Sequence, residues 1–248
     1  MKRLLVLFLA LIVFGLAAGC EVTNDGNKKK AMSYSEFVAA ELDSEVTVDT
    51  YIQARQSFWT DEKGQGLASF YTQGKEEGAY FLYNLPCTEE KYNSELVVGA
   101  HILVTGKKAE WAGEVEIIEA KYELLEGTYD APAVDLTDKL GDEDFAKYVN
   151  VKAEFKSMQV VARKNDAGEF PFMYKWNNSG SQGDDLYFDL TDGKATYTFV
   201  VESYLCDKTT DVYQKVESLQ VGDYVNVKAF MYWYEGPQPH VFEIVTLK

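Results

Sequence analysis

The sequence predicts an all-β protein with short helices, arranged as two tandem five-stranded Greek-key barrels. Aromatic residues make up 14% of the 248 residues, including 17 Tyr, and together with many Val and Thr residues they favour strands. Residues 67–87 also align without gaps with residues 186–206. The matched pairs are Leu67/Leu186, Thr72/Thr191, Gly74/Gly193, Lys75/Lys194 and Cys87/Cys206. Such self-similarity indicates two copies of one structural unit.

The repeat continues downstream in the same order. Residues 96–99 match 219–222, residues 102–106 match 225–229, and residues 116–118 match 243–245. Matches through three successive elements are hard to produce by chance, so each copy is expected to hold the same series of strands.

Each element of the first copy follows from a local pattern. Val46, Val48, Thr50 and Ile52 alternate with polar residues, which predicts a first strand. Thr88 precedes two glutamates, an arrangement typical of a helix N-terminus. The predicted elements are strands at 46–52, 67–72, 79–85, 101–108 and 115–125 and a helix at 88–96.

The second copy repeats this order. Its predicted elements are strands at 149–161, 186–190, 197–205, 224–233 and 241–247 and a helix at 211–218. Phe37, Val38 and Leu42 at helical spacing also predict a short leading helix over 34–42. The predicted organisation is a leading helix and first barrel at 34–127, a linker at 128–147 and a second barrel at 148–248.

The order of three strands, a helix and two strands resembles the OB-fold, a small Greek-key barrel. Gly99-x-x-Ile-x-Val-Thr-Gly106 followed by Glu114-Val-Glu-Ile117 is similar to the strand 4–5 region of nucleic-acid-binding OB domains. The resemblance covers most of 44–127 and, more loosely, 148–248. It implies a fold rather than a ligand, because this barrel serves many unrelated functions.

The N-terminus resembles a bacterial lipoprotein signal. Lys2 and Arg3 precede an apolar run over 4–16, and small residues then lead to Cys20. The resemblance implies cleavage after residue 19, a lipidated Cys20, a polar tether over 20–33 and a location on the extracytoplasmic face of the cell membrane. The alternative is an ordinary cleaved signal in front of a cysteine.

Composition argues against several classes of function. The net charge is −16, and a signal over residues 1–19 would remove two basic residues and no acidic one. Such a charge is a poor match for phosphate backbones, so nucleic acid is not expected as a partner.

Cys87 and Cys206 occupy equivalent positions in separate copies and are expected to be small buried residues, with a disulfide between them as the alternative. No catalytic, metal or cofactor motif is found, and we expect no enzyme activity and no cofactor.

Aromatic residues supply the candidate binding site. By alignment with the apolar phase of the second copy, Phe70, Phe81 and Tyr83 are predicted to point outward on the customary binding face of the first barrel. Trp59 and Trp111, in adjoining loops, could join them in stacking on a ligand. The alternative is that this face packs against the second copy, the leading helix or the linker.

The main functional hypothesis is a lipid-anchored, non-catalytic surface protein that binds a carbohydrate or another small ligand on these aromatics. Stacking on a sugar needs no positive charge. Two alternatives are nucleic-acid binding by the OB-like fold and a scaffold that presents the same aromatics to a protein partner.

Overall fold

The computed structural model describes residues 30–142 and 144–247, which fold into two barrels joined by a short linker. The predicted signal, the lipidation site Cys20 and most of the tether lie outside the described residues. Among the helices in the described part, none has the length and apolar character needed to cross a bilayer.

The leading helix α1 (Tyr34–Ala39) is confirmed, although it is shorter than predicted. Ser33 Oγ accepts a hydrogen bond from the Glu36 backbone N–H (3.2 Å), and Glu36 Oε2 accepts one from the Ser33 N–H (2.7 Å). This reciprocal capping box pairs two backbone N–H groups that a helix N-terminus otherwise leaves without partners. The helix lies over the first barrel, where Phe37 packs edge-on against Tyr80 in the core.

The first barrel contains the predicted series of elements and one short strand, β2, where a loop was predicted. Its elements are β1 (Glu45–Arg55), β2 (Trp59–Thr60), β3 (Gly66–Gln73), β4 (Ala79–Pro86), α2 (Glu89–Ser94), β5 (Ala100–Trp111) and β6 (Glu114–Thr128). The sheet order is β1-β5-β6-β4-β3-β2, and antiparallel pairing of β1 with β3 closes the barrel. The sole parallel pairing in this sheet joins β4 to β6.

The second barrel repeats this topology with additions. Its elements are β7 (Val134–Asp135), β8 (Lys152–Val161), β9 (Arg163–Asn165), β10 (Gly168–Phe170), β11 (Met173–Tyr174), β12 (Leu186–Thr191), β13 (Thr196–Val201), α3 (Asp211–Glu217), β14 (Tyr224–Phe230) and β15 (His240–Leu247). Pairing of β12 with β8 closes this barrel, and β13 pairs with β15 in parallel, as β4 does with β6. The tandem all-β barrel fold is therefore confirmed.

The segment between the barrels is more ordered than a plain linker. Within it, β7 pairs in parallel with β8, and two 3-10 helices follow at Thr137–Lys139 and Phe145–Tyr148. Leu136 and Phe145 are buried in the core of the second barrel. The segment therefore packs as part of the second barrel.

The predicted outward orientation of Phe70 is wrong. Phe70 is fully buried in the core of the first barrel, together with Ala68. Ala68 and Phe70 keep the ordinary alternation of β3, because the extra residue at the register shift lies on β4, where Leu82 pairs with Phe70 and Leu85 with Ala68. The turn after β3 spans residues 74–78, whereas the turn after β12 spans 192–195. The ungapped alignment therefore displaced β3 by one residue, which assigned its side chains to the opposite face.

Candidate binding groove between the barrels

A buried aromatic cluster joins the two barrels. Tyr71 of β3 and Phe81 of β4 point away from the first core and meet Phe230 of β14. The Tyr71 and Phe230 rings are stacked with centroids 4.5 Å apart, and those of Tyr71 and Phe81 are 4.8 Å apart. Phe81 therefore packs against the second copy, which was the alternative predicted for this face. Its ring is buried and cannot contact a ligand.

A buried hydrogen bond fixes the centre of this contact. Tyr71 Oη lies 2.8 Å from His240 Nδ1, and Tyr232 stacks on the His240 ring with centroids 4.3 Å apart. Burial lowers the pKa of His240 to about 3. The imidazole is therefore neutral near pH 7 and acts as a hydrogen-bonding partner rather than a charge.

A carboxyl group forms a second cross-barrel contact. Ala112 and Gly113 both have positive φ and form the tight turn between β5 and β6, which places Glu114 beside the second barrel. Glu114 Oε1 accepts a hydrogen bond from Asn150 Nδ2 (2.7 Å), and Oε2 accepts one from the Trp233 N–H (2.8 Å). Burial outweighs these two bonds and raises the pKa of Glu114 to about 8.

A third contact ties the loop after β1 to the second barrel. The Ser57 N–H donates to the Tyr204 carbonyl (2.8 Å), and Gln56 Nε2 donates to Glu202 Oε2 (3.0 Å). The pKa of Glu202 is raised to about 7, mainly because the carboxyl group is buried and secondly because the Asp185 carboxylate lies nearby. These bonds hold two loops in fixed positions beside the open seam between the barrels.

Three adjoining cavities follow this seam. The first, of about 310 Å³, is lined by Trp59, Tyr83 and Tyr204 among others. The second, of about 550 Å³, lies between Trp111, Trp176, Tyr187 and Tyr234. A smaller third cavity shares Tyr204 with the first and Trp176, Asp185 and Tyr187 with the second. We call these three adjoining cavities together the seam groove.

The exposed aromatic side chains concentrate in the seam groove. Seven aromatic residues in the described part of the chain have exposed side chains: Trp59, Tyr83, Trp111, Trp176, Tyr204, Tyr224 and Tyr234. Six of the seven line the groove, and the exception is Tyr224. Exposed aromatic rings gathered in one depression form a surface on which flat rings of a ligand can stack.

The groove contains three of the five ligand residues predicted from sequence. Trp59 and Tyr83 lie in the first cavity and Trp111 in the second. Their role in binding remains a prediction. Trp59 is held by a hydrogen bond from its Nε1 to Asn84 Oδ1 (3.3 Å).

The part of the groove that the second barrel contributes was not predicted from the sequence. Trp176 lies between β11 and β12, Tyr187 on β12, and Tyr204 after β13. One signal was available, because the segment between the first two aligned strands is longer in the second copy and contains Trp176. Loops in this position commonly border the binding face of such barrels.

The charges lining the groove are mostly negative. Asp185 and Glu202 line the second cavity. The nearest cations are engaged, since Arg163 pairs with Asp189 and Lys175 Nζ lies 3.4 Å from Asp184 Oδ1. A ligand would therefore gain its affinity from ring stacking and hydrogen bonds rather than from attraction to cations.

His101 and the two cysteines lie outside the seam groove. His101 Nε2 lies 2.6 Å from Asp49 Oδ1, and its Nδ1 lies 2.7 Å from the Glu126 carbonyl. Cys87 and Cys206 are both free thiols, and burial raises the pKa of each. No cluster of three metal-ligating side chains is found within residues 30–142 and 144–247.

Comparison with known proteins finds similarity to solved structures alone. No family model matches the sequence. No curated protein matches it either. Among solved structures, the chain resembles a murine DNA-binding protein bound to double-stranded DNA, at 9% identity and a TM-score of 0.36 over 82% of this chain and 96% of that one.

Two further solved structures have a similar arrangement. One is a replication protein A heterotrimer bound to single-stranded DNA, at 10% identity and a TM-score of 0.32 over 88% of this chain and 50% of that one. The other is a deletion mutant of the single-stranded DNA binding protein from Thermus aquaticus, at 13% identity and a TM-score of 0.25 over 82% and 94% of the respective chains. At these identities the likeness concerns the fold alone.

The positions of the aromatic side chains correct two expectations from the sequence. The main hypothesis, a carbohydrate or other small ligand on the aromatic face of the first barrel, is wrong, because Phe70 and Phe81 of that face are buried and present no surface to a ligand. The expectation that nucleic acid is not a partner, which was drawn from net charge, is also corrected, because the exposed rings of the groove can stack on bases and stacking needs no positive charge.

Proposed function

We propose that this chain is a non-catalytic protein that binds single-stranded nucleic acid by stacking bases on the rings of the seam groove. The observation that carries the proposal is that six of the seven exposed aromatic side chains in the described residues line this one groove. Base–aromatic stacking contributes about 1–3 kcal/mol per base and tolerates any sequence.

The charge of the groove defines the expected mode of binding. Asp185 and Glu202 lie among the rings, so the phosphates of a bound strand should face solvent while the bases enter the groove. Few counterions would then be released on binding, which predicts a shallow dependence of affinity on salt. A duplex offers no free base faces, so single strands are the expected ligand.

The test is fluorescence anisotropy with a labelled oligothymidylate of roughly 20 nucleotides, long enough for the site sizes of two barrels. Tyr234→Ala should weaken binding about 5- to 150-fold, which corresponds to one lost stacking contact of about 1–3 kcal/mol. Tyr224→Ala is the matched control, because Tyr224 is an equally exposed tyrosine outside the groove.

Trp176→Ala extends the test to the most exposed ring of the groove and should weaken binding by a similar factor. The proposal is rejected if the oligonucleotide does not bind, or if Tyr224→Ala weakens binding as much as Tyr234→Ala. A duplex that binds more tightly than the single strand, with affinity falling steeply as salt rises, would also contradict base stacking as the mode of binding.

We further propose that the protein is held at the extracytoplasmic face of the membrane through Cys20. The support is the order of a charged start, an apolar run over 4–16 and small residues before that cysteine. Metabolic labelling with an alkyne-tagged fatty acid should mark the wild-type protein and not Cys20→Ser. Equal labelling of both, or of neither, would contradict this assignment.

A further inference from the structure

One carboxylate of the seam groove lies where two of its cavities meet. Asp185 comes directly before β12, is half-buried, and lines both the second and the third cavity. The rings of Trp176 and Tyr187 line the same two cavities. A base that stacks on either ring can therefore turn its polar edge toward the Asp185 carboxylate.

The orientation of the Asp185 side chain is fixed by Ser203. Asp185 Oδ1 accepts hydrogen bonds from the Ser203 N–H (2.8 Å) and from the Ser203 hydroxyl (2.7 Å). Its Oδ2 accepts no hydrogen bond from the described residues. An ionised carboxylate accepts hydrogen bonds and donates none, so this second oxygen can pair with a donor of a ligand and not with an acceptor.

The other polar groups at these two cavities do not offset this demand for a donor. Among the described residues that line them, the one lysine is Lys175, and its Nζ lies 3.4 Å from Asp184 Oδ1. Both oxygens of Glu202 already accept hydrogen bonds from other residues. The Gln238 amide can both donate and accept, so it does not discriminate between ligand edges.

The bases differ in what they present to a free carboxylate oxygen. Cytosine, adenine and guanine each carry an exocyclic amino group that donates hydrogen bonds, whereas thymine has a carbonyl oxygen where cytosine has its amino group. The one N–H donor of thymine or uracil, at N3, is flanked by two carbonyl oxygens, and both repel a carboxylate that approaches it.

We propose that Asp185 makes the seam groove selective for bases that carry an exocyclic amino group over thymine and uracil. This inference rests on the proposed binding of single-stranded nucleic acid and adds the residue that determines which bases are preferred. The aromatic rings supply stacking that accepts any base. Asp185 Oδ2 then accepts a hydrogen bond from the amino group of a base stacked on Trp176 or Tyr187.

The test compares two labelled single strands of roughly 20 nucleotides, one containing thymine alone and the other 5-methylcytosine alone. The two bases share their ring and methyl group, so they stack similarly, but 5-methylcytosine has an amino group in place of a carbonyl oxygen and no proton on N3. In fluorescence anisotropy, the wild-type protein should bind the 5-methylcytosine strand at least about fivefold more tightly, as expected for one hydrogen-bonded base edge.

Two matched variants assign the preference to Asp185. In Asp185→Asn the amide oxygen should stay on Ser203, because the Ser203 N–H can only donate, and the NH₂ group then replaces Oδ2 at the cavity. This variant should bind the thymine strand more tightly than the wild type does, bind the 5-methylcytosine strand more weakly, and so lose the preference. Asp166 is an exposed aspartate in the turn between β9 and β10, and Asp166→Asn should keep the preference.

The outcomes separate this inference from the proposed function. Equal affinities of the wild-type protein for the two strands, or a preference that Asp185→Asn retains, would overturn selection by Asp185 and leave the proposed function intact. Binding of neither strand by the wild-type protein would overturn the proposed function and this inference with it.

Discussion

Replacing Glu114 with glutamine changes one buried carboxyl group of the contact between the barrels and keeps its shape. In the protein, this carboxyl accepts hydrogen bonds from Asn150 Nδ2 and the Trp233 N–H. The amide oxygen of glutamine can keep the bond from Trp233. Its amide nitrogen can donate to Asn150 Oδ1 once that side chain rotates, so the folded state is expected to be retained.

The magnitude follows from the pKa of Glu114, which burial raises from an ordinary value of 4.5 to about 8, with Glu116 as a smaller contributor. The folded protein therefore holds this proton more tightly than the unfolded chain. The contribution of this carboxyl group to the free energy of unfolding is fully present below pH 4.5 and is lost as pH rises toward 8. Between about pH 5.5 and 8.5 the loss is about 3 kcal/mol, at 1.36 kcal/mol per pKa unit.

The assay is equilibrium urea unfolding, followed by tryptophan fluorescence at several pH values across that window. The wild-type protein should lose stability steadily as pH rises, partly through Glu114 and partly through Glu202, whose pKa is also raised, to about 7. Glu114→Gln should remove about 3 kcal/mol of that loss. Glu123→Gln, an exposed glutamate on the same strand, is the control. If both variants keep the wild-type pH dependence, the buried carboxyl does not titrate in this range and the reasoning fails.

Four further substitutions, one of them a control, test the packing. Tyr71→Phe leaves buried His240 Nδ1 without its 2.8 Å partner and should lower the free energy of unfolding by about 1–3 kcal/mol in urea titrations. Lys108→Met removes three hydrogen bonds to the end of α1, so amide hydrogen exchange in that helix should speed up at least tenfold, a change of about 1.4 kcal/mol. Phe81→Ala should lower the free energy of unfolding by about 3–5 kcal/mol, because it opens a cavity between the barrels. Tyr83→Ala removes an exposed ring and should change that free energy by less than about 0.5 kcal/mol. Equal effects of these two substitutions would contradict the buried position of Phe81.

The sequence predicted the series of strands because the repeat and the alternation of apolar residues act locally. Strand β4 follows its predicted phase, with Tyr80 and Leu82 in the first core. The phase of β3 could not be predicted in the same way. The turn after β3 spans residues 74–78, whereas the corresponding turn of the second copy spans 192–195, and this difference of one residue moves the side chains of β3 to the opposite phase. Nothing in the ungapped alignment records it.

The binding groove was harder to predict than the fold, because it is assembled from loops that meet only in three dimensions. Trp59 and Tyr204 both line the first cavity, although they lie far apart in the chain. The backbone hydrogen bond from Ser57 to Tyr204 holds their two loops together. Residues brought together in this way show no spacing pattern, so sequence analysis found the aromatics of one barrel and missed those of the other.

The difference between the two copies nevertheless held information about how the barrels pack. Strand β4 has Phe81 and Tyr83 on its outer face, where the aligned positions of the second copy are Val200 and Glu202. Apolar side chains on the outer face of a small barrel need a cover, and a repeat offers one in its other copy. The second barrel covers Phe81, through Phe230 and Tyr232, and leaves Tyr83 at the edge of the seam. One strand face therefore serves both purposes, because its buried end joins the barrels and its exposed end lines the groove that their contact creates.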